Sequence, residues 1–281
     1  MSAGFGERAR AGILARGPLC VGIDPHAALL SSWGLSDDAA GTREFGLRTV
    51  EAVAEHVAFV KPQVSFFERF GSAGFAALED VLAAARAAGL LVIADAKRGD
   101  IGTTMDAYAA AWLTPGSPLE ADALTVNPYL GVGALDGALD RATAHGKGLF
   151  VLAATSNTEA QTLQRSVGAT GATVAADVIA AVSARNAAAV PAGEWGSAGF
   201  VIGATVDWTD AAIGAFAPPA PILAPGFGAQ GAEPRDLRER FGPMSSSVIA
   251  SESRSVLAAG PTGLADAVAA RVAEYQEVVH G

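Results

Sequence analysis

Six residues concentrate the charged chemistry of this sequence. Asp95-Ala-Lys97-Arg-Gly-Asp100 places carboxylate, ammonium, guanidinium and carboxylate directly after the apolar run 90–94, LLVIA. Burying charge is costly unless the charges are paired or used. In an extended chain, residues two apart share a face. Asp95 and Lys97 are therefore expected to point the same way, with Leu91 and Ile93 below them, and Asp100 follows a turn at Arg98-Gly99. Lys61 ends an earlier apolar run and could join them. Carboxylates keep lysines protonated and ammoniums keep aspartates ionised. Such an array either closes a structure as ion pairs or serves a reaction that forms a carbanion and then protonates it.

Lysine usage adds to this. Of 19 basic residues only Lys61, Lys97 and Lys147 are lysine. Arginine does not give up its proton in a protein, whereas lysine can. Lys61 and Lys97 both stand at the ends of apolar runs, where a proton could move. Codon bias toward arginine is the competing explanation.

A second motif is Pro225-Gly-Phe-Gly-Ala-Gln-Gly231, which contains the Gly-x-Gly-x-x-Gly pattern of dinucleotide sites, with Glu252 at about the right distance beyond. Only one helical segment follows Glu252, however, and a doubly wound dinucleotide fold needs more strands than that. The same loop also suits a phosphate: glycine N–H groups, Gln230 as a further donor, and Arg254 at the next strand end with a bidentate guanidinium. A long polar stretch, 156–168, reads as a solvated loop or a lid. Asn127 and His26 lie beside these motifs as weaker candidates. His56, His145 and His280 have no neighbours at metal-ligand spacing, and no Gly-x-Ser-x-Gly elbow marks a hydrolase.

The elements that must position these groups follow from the apolar pattern. Eight runs read as strands buried on both faces: 19–24, 59–63, 90–97, 123–127, 149–155, 199–205, 221–226 and 247–253. Between them, helical periodicity predicts helices near 42–56 (N-cap Thr42), 72–88 (opening at Ser72), 102–112, 132–145, 173–190, 207–216, 234–241 and 261–279. Strand then helix, repeated eight times in 281 residues, predicts a single-domain (β/α)8 TIM barrel over 1–281 with a short N-terminal helical extension. Asp24, Lys61, Asp95, Lys97, Asn127, Thr155-Ser156, Gly226–Gln230 and Arg254 then all fall at the C-terminal strand ends, where such barrels carry active sites.

Composition sets limits on partners. A net charge of −10 with no basic run argues against nucleic acid, and no apolar stretch is long enough to span a bilayer. The N-terminal residues lack a signal-peptide core, so a cytoplasmic protein is expected. Cys20, the single cysteine, is expected to fill core.

Asp95-x-Lys97-x-x-Asp100, together with Lys61, Gln230 and Arg254, resembles the orotidine 5′-phosphate decarboxylase family, in its longer, mycobacterial-type branch. The likeness runs from about Leu19 to Arg254. It implies decarboxylation of a nucleotide, orotidine 5′-phosphate, to UMP in pyrimidine biosynthesis, with no metal and no organic cofactor. It implies that Lys97 protonates C6, that Asp95 faces the substrate carboxylate, and that Lys61 holds Asp95 and the ribose. Asp24 would bind a ribose hydroxyl and Ser156 the pyrimidine. The loop from Pro225 through Gly228 to Gln230, with Arg254, would hold the phosphate. Asp100 and Thr104 would reach the site of a partner subunit in a homodimer with composite active sites. The continuation Pro62-Gln63 after Lys61 departs from that of many relatives. Two other readings stay open: a sugar-phosphate lyase or aldolase of the same superfamily, expected to carry an acidic residue at position 61 and magnesium, and a non-catalytic phosphate-binding barrel.

Overall fold

Each of the eight apolar runs forms a strand, and the strands pair in chain order into a closed barrel, β8 returning to β1. The structure is a computed structural model that describes residues 3–280. Met1, Ser2 and Gly281, part of the span expected to form one barrel, lie outside the described residues. The strands are β1 (Leu19–Ile23), β2 (Phe59–Pro62), β3 (Leu91–Arg98), β4 (Ala123–Val126), β5 (Gly148–Ala154), β6 (Ala198–Ile202), β7 (Ile222–Pro225) and β8 (Val248–Glu252). Neighbours pair in parallel, with Gly22 opposite Lys61 and Val126 opposite Val151. The helices are α1 (Phe5–Arg16), α2 (Ala27–Ser32), α3 (Ala39–Val53), α4 (Val64–Glu68), α5 (Gly71–Ala87), α6 (Gly102–Leu113), α7 (Asp136–Ala144), α8 (Gln161–Gln164), α9 (Val174–Ala189), α10 (Leu237–Phe241), α11 (Arg254–Leu257) and α12 (Gly260–His280).

Burial on both strand faces explains the near-continuous apolar runs. The outward residues Val21, Val60, Val92 and Leu124 pack in a cluster shared with the helices. The inward residues Cys20, Phe59, Ile93, Phe150, Leu223 and Ile249 fill the barrel. Helix α1 closes the N-terminal end: Phe5, Ala9 and Ile13 join the interior cluster, and Phe5 meets Phe150 edge-on with ring centroids 5.7 Å apart. Arg8 pins it there, bonding Asp122 at 2.7 Å and the Gly146 carbonyl at 2.8 Å. Lys147 is buried at this same end, 2.7 Å from Glu120 and 3.7 Å from Asp122. The third lysine is therefore structural.

Several expected boundaries are corrected. The helix expected at 207–216 does not form. Asp207 accepts the Asp210 N–H through its side chain, Ala212 turns to φ 54°, and Gly214 and Pro218 follow, so the segment stays a set of turns. Thr42 is not an N-cap. The helix starts three residues earlier, and Asp38 caps it by accepting the Gly41 N–H at 2.7 Å. The helix expected to open at Ser72 begins at Gly71, without a side-chain cap. Segments 132–145 and 234–241 open as 3-10 turns, Val132–Leu135 and Pro234–Asp236, before becoming α-helical. Helices α2, α4 and α8 are too short to show a period in sequence.

Candidate active site

The centre of the mouth is the Asp95 carboxylate, buried at the end of β3. Its Oδ2 accepts from Lys61 Nζ and from Gln63 Nε2, each at 3.0 Å. Its Oδ1 accepts from Lys97 Nζ at 2.5 Å and from Thr125 Oγ1 at 3.0 Å. Four donors on two oxygens form because β2, β3 and β4 all aim residues of the inward face at the same point. Burial alone would raise the Asp95 pKa, but the Lys61 and Lys97 ammoniums outweigh it and hold the carboxyl well below its usual range. Burial works against the charge on Lys61 too, and Asp95 and then Asp24 more than compensate, holding its pKa above the ordinary lysine value. The site thus contains one ionised carboxylate between two ammoniums. Lys61 is sealed at 8% side-chain exposure, whereas Lys97 is open at 46%. Of the two, Lys97 is the more accessible to a ligand. Cys20 lies beneath them as a neutral thiol, its pKa pushed up to about 12 chiefly by burial.

Lys61, Asp95 and Lys97 line a cavity of about 240 Å³ that continues past Asp24 to Gln230 and Arg254. Asp24 Oδ1 is buried without a hydrogen-bond partner. A buried acceptor left open on a cavity wall fits a hydroxyl donor. On the far side, the loop after β7 folds tightly on itself, with the Gly228 N–H bonded to the Ala232 carbonyl at 2.7 Å. Gly228 has φ 67°, and a Cβ there would come within 2.6 Å of Glu252 Oε2. Glu252, which sequence spacing allowed as a dinucleotide-ribose ligand, is instead fully buried under this loop. It accepts from Tyr275 at 2.8 Å and Ser255 at 2.6 Å, with Arg271 3.5 Å away. Together with the closed barrel, this removes the dinucleotide-fold alternative.

Of the site residues expected from sequence, Asp24, Lys61, Asp95, Lys97, Pro225, Gln230 and Arg254 line this cavity. Ser156 reaches it indirectly, donating to Gln230 Oε1 at 3.2 Å across the mouth. Gly228 supports the loop from behind. Asp100 and Thr104 are not part of this cavity: Asp100 Oδ1 accepts the Ile101 N–H at 2.8 Å, and Thr104 lies exposed in the first turn of α6. Asn127 Oδ1 accepts the Tyr129 N–H at 3.0 Å, which shapes the turn after β4. His26 precedes α2 near the Phe66 ring, with Nε2 buried and unpartnered. Gln63 and Thr125 were not identified from sequence. The signal existed, since Gln63 alternates with Lys61 and Thr125 with Ala123 along their strands.

The long segment after β5 is partly helical. It carries a 3-10 turn, Thr158–Ala160, and α8, and Gln164 Oε1 accepts the Thr155 N–H at 2.9 Å.

Comparison with known proteins gives one family. The model of the orotidine 5′-phosphate decarboxylase / HUMPS family matches residues 17–263. A relative from Salinispora arenicola, named orotidine 5′-phosphate decarboxylase, is 53% identical over 92% of this chain and 91% of its own length. One of the same name from Corynebacterium efficiens is 48% identical over 98% of both chains. Among solved structures, a Streptomyces avermitilis protein assigned as an orotidine 5′-phosphate decarboxylase superposes with a TM-score of 0.94 at 50% identity. That match covers 100% of this chain and 97% of that one.

Proposed function

The chain belongs to the orotidine 5′-phosphate decarboxylase / HUMPS family, and we propose that it converts orotidine 5′-phosphate to UMP in de novo pyrimidine biosynthesis, using no metal or organic cofactor. The observation that carries this reading is the buried Asp95 carboxylate between Lys61 and Lys97, at the foot of a cavity that also holds Gln230 and Arg254. Loss of carbon dioxide breaks a C–C bond and leaves its electron pair on C6 of the pyrimidine. The accessible Lys97 ammonium donates a proton to that carbon, and the resulting amine regains a proton from solvent. Asp95 stays ionised and faces the substrate carboxylate, a repulsion relieved as neutral carbon dioxide departs. The fixed ammonium charge stabilises the carbanion without reorganisation. Asp24 takes a ribose hydroxyl, while the Pro225–Gly228–Gln230 loop and Arg254 hold the phosphate. That binding is remote from the reacting carbon, so its energy can serve the chemical step. Ser156 contacts the pyrimidine. Lys97, Lys61 and Arg254 supply the local cationic mouth that a chain of net charge −10 needs for an anionic substrate.

Lys61 counts against the sugar-phosphate alternative, which calls for an acidic residue there. Further parts of the reading are a homodimer, with Asp100 and Thr104 completing the partner's site, and a cytoplasmic location suited to a charged nucleotide that does not cross membranes unaided. Exposure of Ile101, after β3, and of Tyr129 and Leu130, after β4, supports the dimer, because large exposed apolar side chains suit an interface.

The assay is loss of orotidine 5′-phosphate absorbance by the purified protein, with excess chelator present. The wild type should turn over in chelator, and Lys97→Ala should lose nearly all turnover while still binding UMP. Near-native turnover by Lys97→Ala would remove Lys97 as proton donor, and activity lost to chelator and restored by magnesium would favour the sugar-phosphate chemistry.

A further inference from the structure

Near the mouth, β3 carries two more residues than its neighbour β4. Ala94 pairs with Leu124 and Arg98 with Val126, so Asp95, Ala96 and Lys97 together lie opposite Thr125 alone. A bulge of this kind re-aims side chains and deprives backbone groups of ladder partners. Lys97 sits inside it at φ 49°, in the left-handed region that a residue with a Cβ avoids. A conformation of that kind persists only where the surroundings over-determine it.

Thr125 provides that constraint. It is fully buried, and its Oγ1 accepts the Lys97 backbone N–H at 2.9 Å. A hydroxyl carries one proton and two lone pairs. With one lone pair committed to Lys97, the proton is directed at Asp95 Oδ1, 3.0 Å away and nearer than the Ala94 carbonyl at 3.5 Å. Gln63 holds the other Asp95 oxygen from the opposite side and leaves the Lys97 backbone to Thr125. We infer that Thr125 is a positioning residue for the reaction: one hydroxyl fixes both the backbone of the proton donor and the carboxylate facing it. The inference rests on the proposed role of Lys97.

Without the hydroxyl, the Lys97 N–H loses its acceptor and the bulge is free to relax toward an extended strand, carrying the ammonium away from C6. Misplacement of about 1 Å at a reacting group can cost on the order of 100-fold in rate, while groups that bind the rest of the substrate are untouched. Thr125→Val keeps the shape and removes the hydroxyl; Thr125→Ser keeps the hydroxyl and removes the methyl. With orotidine 5′-phosphate, Thr125→Val should lower kcat by about 30-fold or more, with KM and the UMP dissociation constant within about threefold of wild type. Thr125→Ser should restore kcat to within about threefold. Turnover by Thr125→Val within about twofold of wild type, or equal impairment of both variants, overturns the inference. If Thr125→Val does not fold, Thr125→Ala takes its place under the same criteria. An inactive wild type would overturn the proposed reaction instead. Crystal structures of wild type and the hydroxyl-free variant separate the two cases: the inference needs Lys97 to leave the left-handed region and its ammonium to part from Asp95, and an unmoved Lys97 overturns it whatever the activity.

Discussion

A carboxylate with four donors on its two oxygens cannot swing, and Asp95 is held in that way by Lys61, Gln63, Lys97 and Thr125. Its charge has a definite consequence for pH. The folded-state pKa of Asp95 lies below the unfolded value of about 3.9, so its contribution to stability is present above that value and is lost as pH falls further. Lys61 behaves oppositely. Its folded pKa lies above the unfolded value of about 10.4, so its contribution is present below that value and is lost as pH rises past it. Urea unfolding of wild type and of Lys61→Met/Asp95→Asn should therefore differ by a constant amount from about pH 5 to 9. Below about pH 4 the wild type should lose stability relative to the double variant. A relative gain by the wild type on acidification would contradict the ion-pair assignment.

At the scale of elements, the loop after β7 depends on what lies beneath it. Gly228 uses a left-handed φ and lies against the buried Glu252 carboxylate, which Tyr275 of α12 and Ser255 of α11 hold in place. The loop expected to grip the phosphate is thus supported by the two helices that follow β8. Gly228→Ala should force the loop off its support at a conformational cost of about 1–2 kcal/mol before any clash is counted. KM for orotidine 5′-phosphate should rise about tenfold or more, whereas kcat/KM for the phosphate-free nucleoside orotidine should change less than about twofold. Equal losses on both substrates would show that the glycine serves the whole mouth rather than the phosphate. The segment 207–216 illustrates how local bonding can override periodicity. An Asp207 side-chain bond and a left-handed Ala212 end each turn before a helix can propagate.

The described residues form a barrel closed by α1 at one end, with the charged cavity at the other. Asp100 and Thr104 stand outside the cavity of their own chain. If each completes the site of a partner, Lys97→Ala and Asp100→Ala should each be nearly inactive, yet mixing them should restore activity. A mixed dimer would hold one site with both lesions and one with none. Random reassortment makes about half the dimers mixed, giving about a quarter of wild-type activity. The measurement is turnover before and after mild dissociation and remixing, with subunit exchange followed independently. Exchange without recovery would assign Asp100 to its own chain.

Much of this was legible in the order of residues. Eight apolar runs bounded by turn-forming segments determine strands buried on both faces, and a parallel sheet of eight such strands with helical crossovers closes as a barrel. Period-two alternation put Asp95 and Lys97 on one face in sequence, but their contact in the structure is made through a bulge in β3 with Lys97 at a left-handed φ. The register between strands is not local. That Lys61 meets one Asp95 oxygen while Thr125 meets the other depends on how β2 and β4 slide against β3, and on a bulge of two residues that no propensity announces. The left-handed Lys97 bonds through its backbone N–H to a hydroxyl that β4 presents. In sequence Lys147 stood apart only in not ending an apolar run, and it is tertiary packing beneath α1, against Glu120 and Asp122, that gives it a structural role.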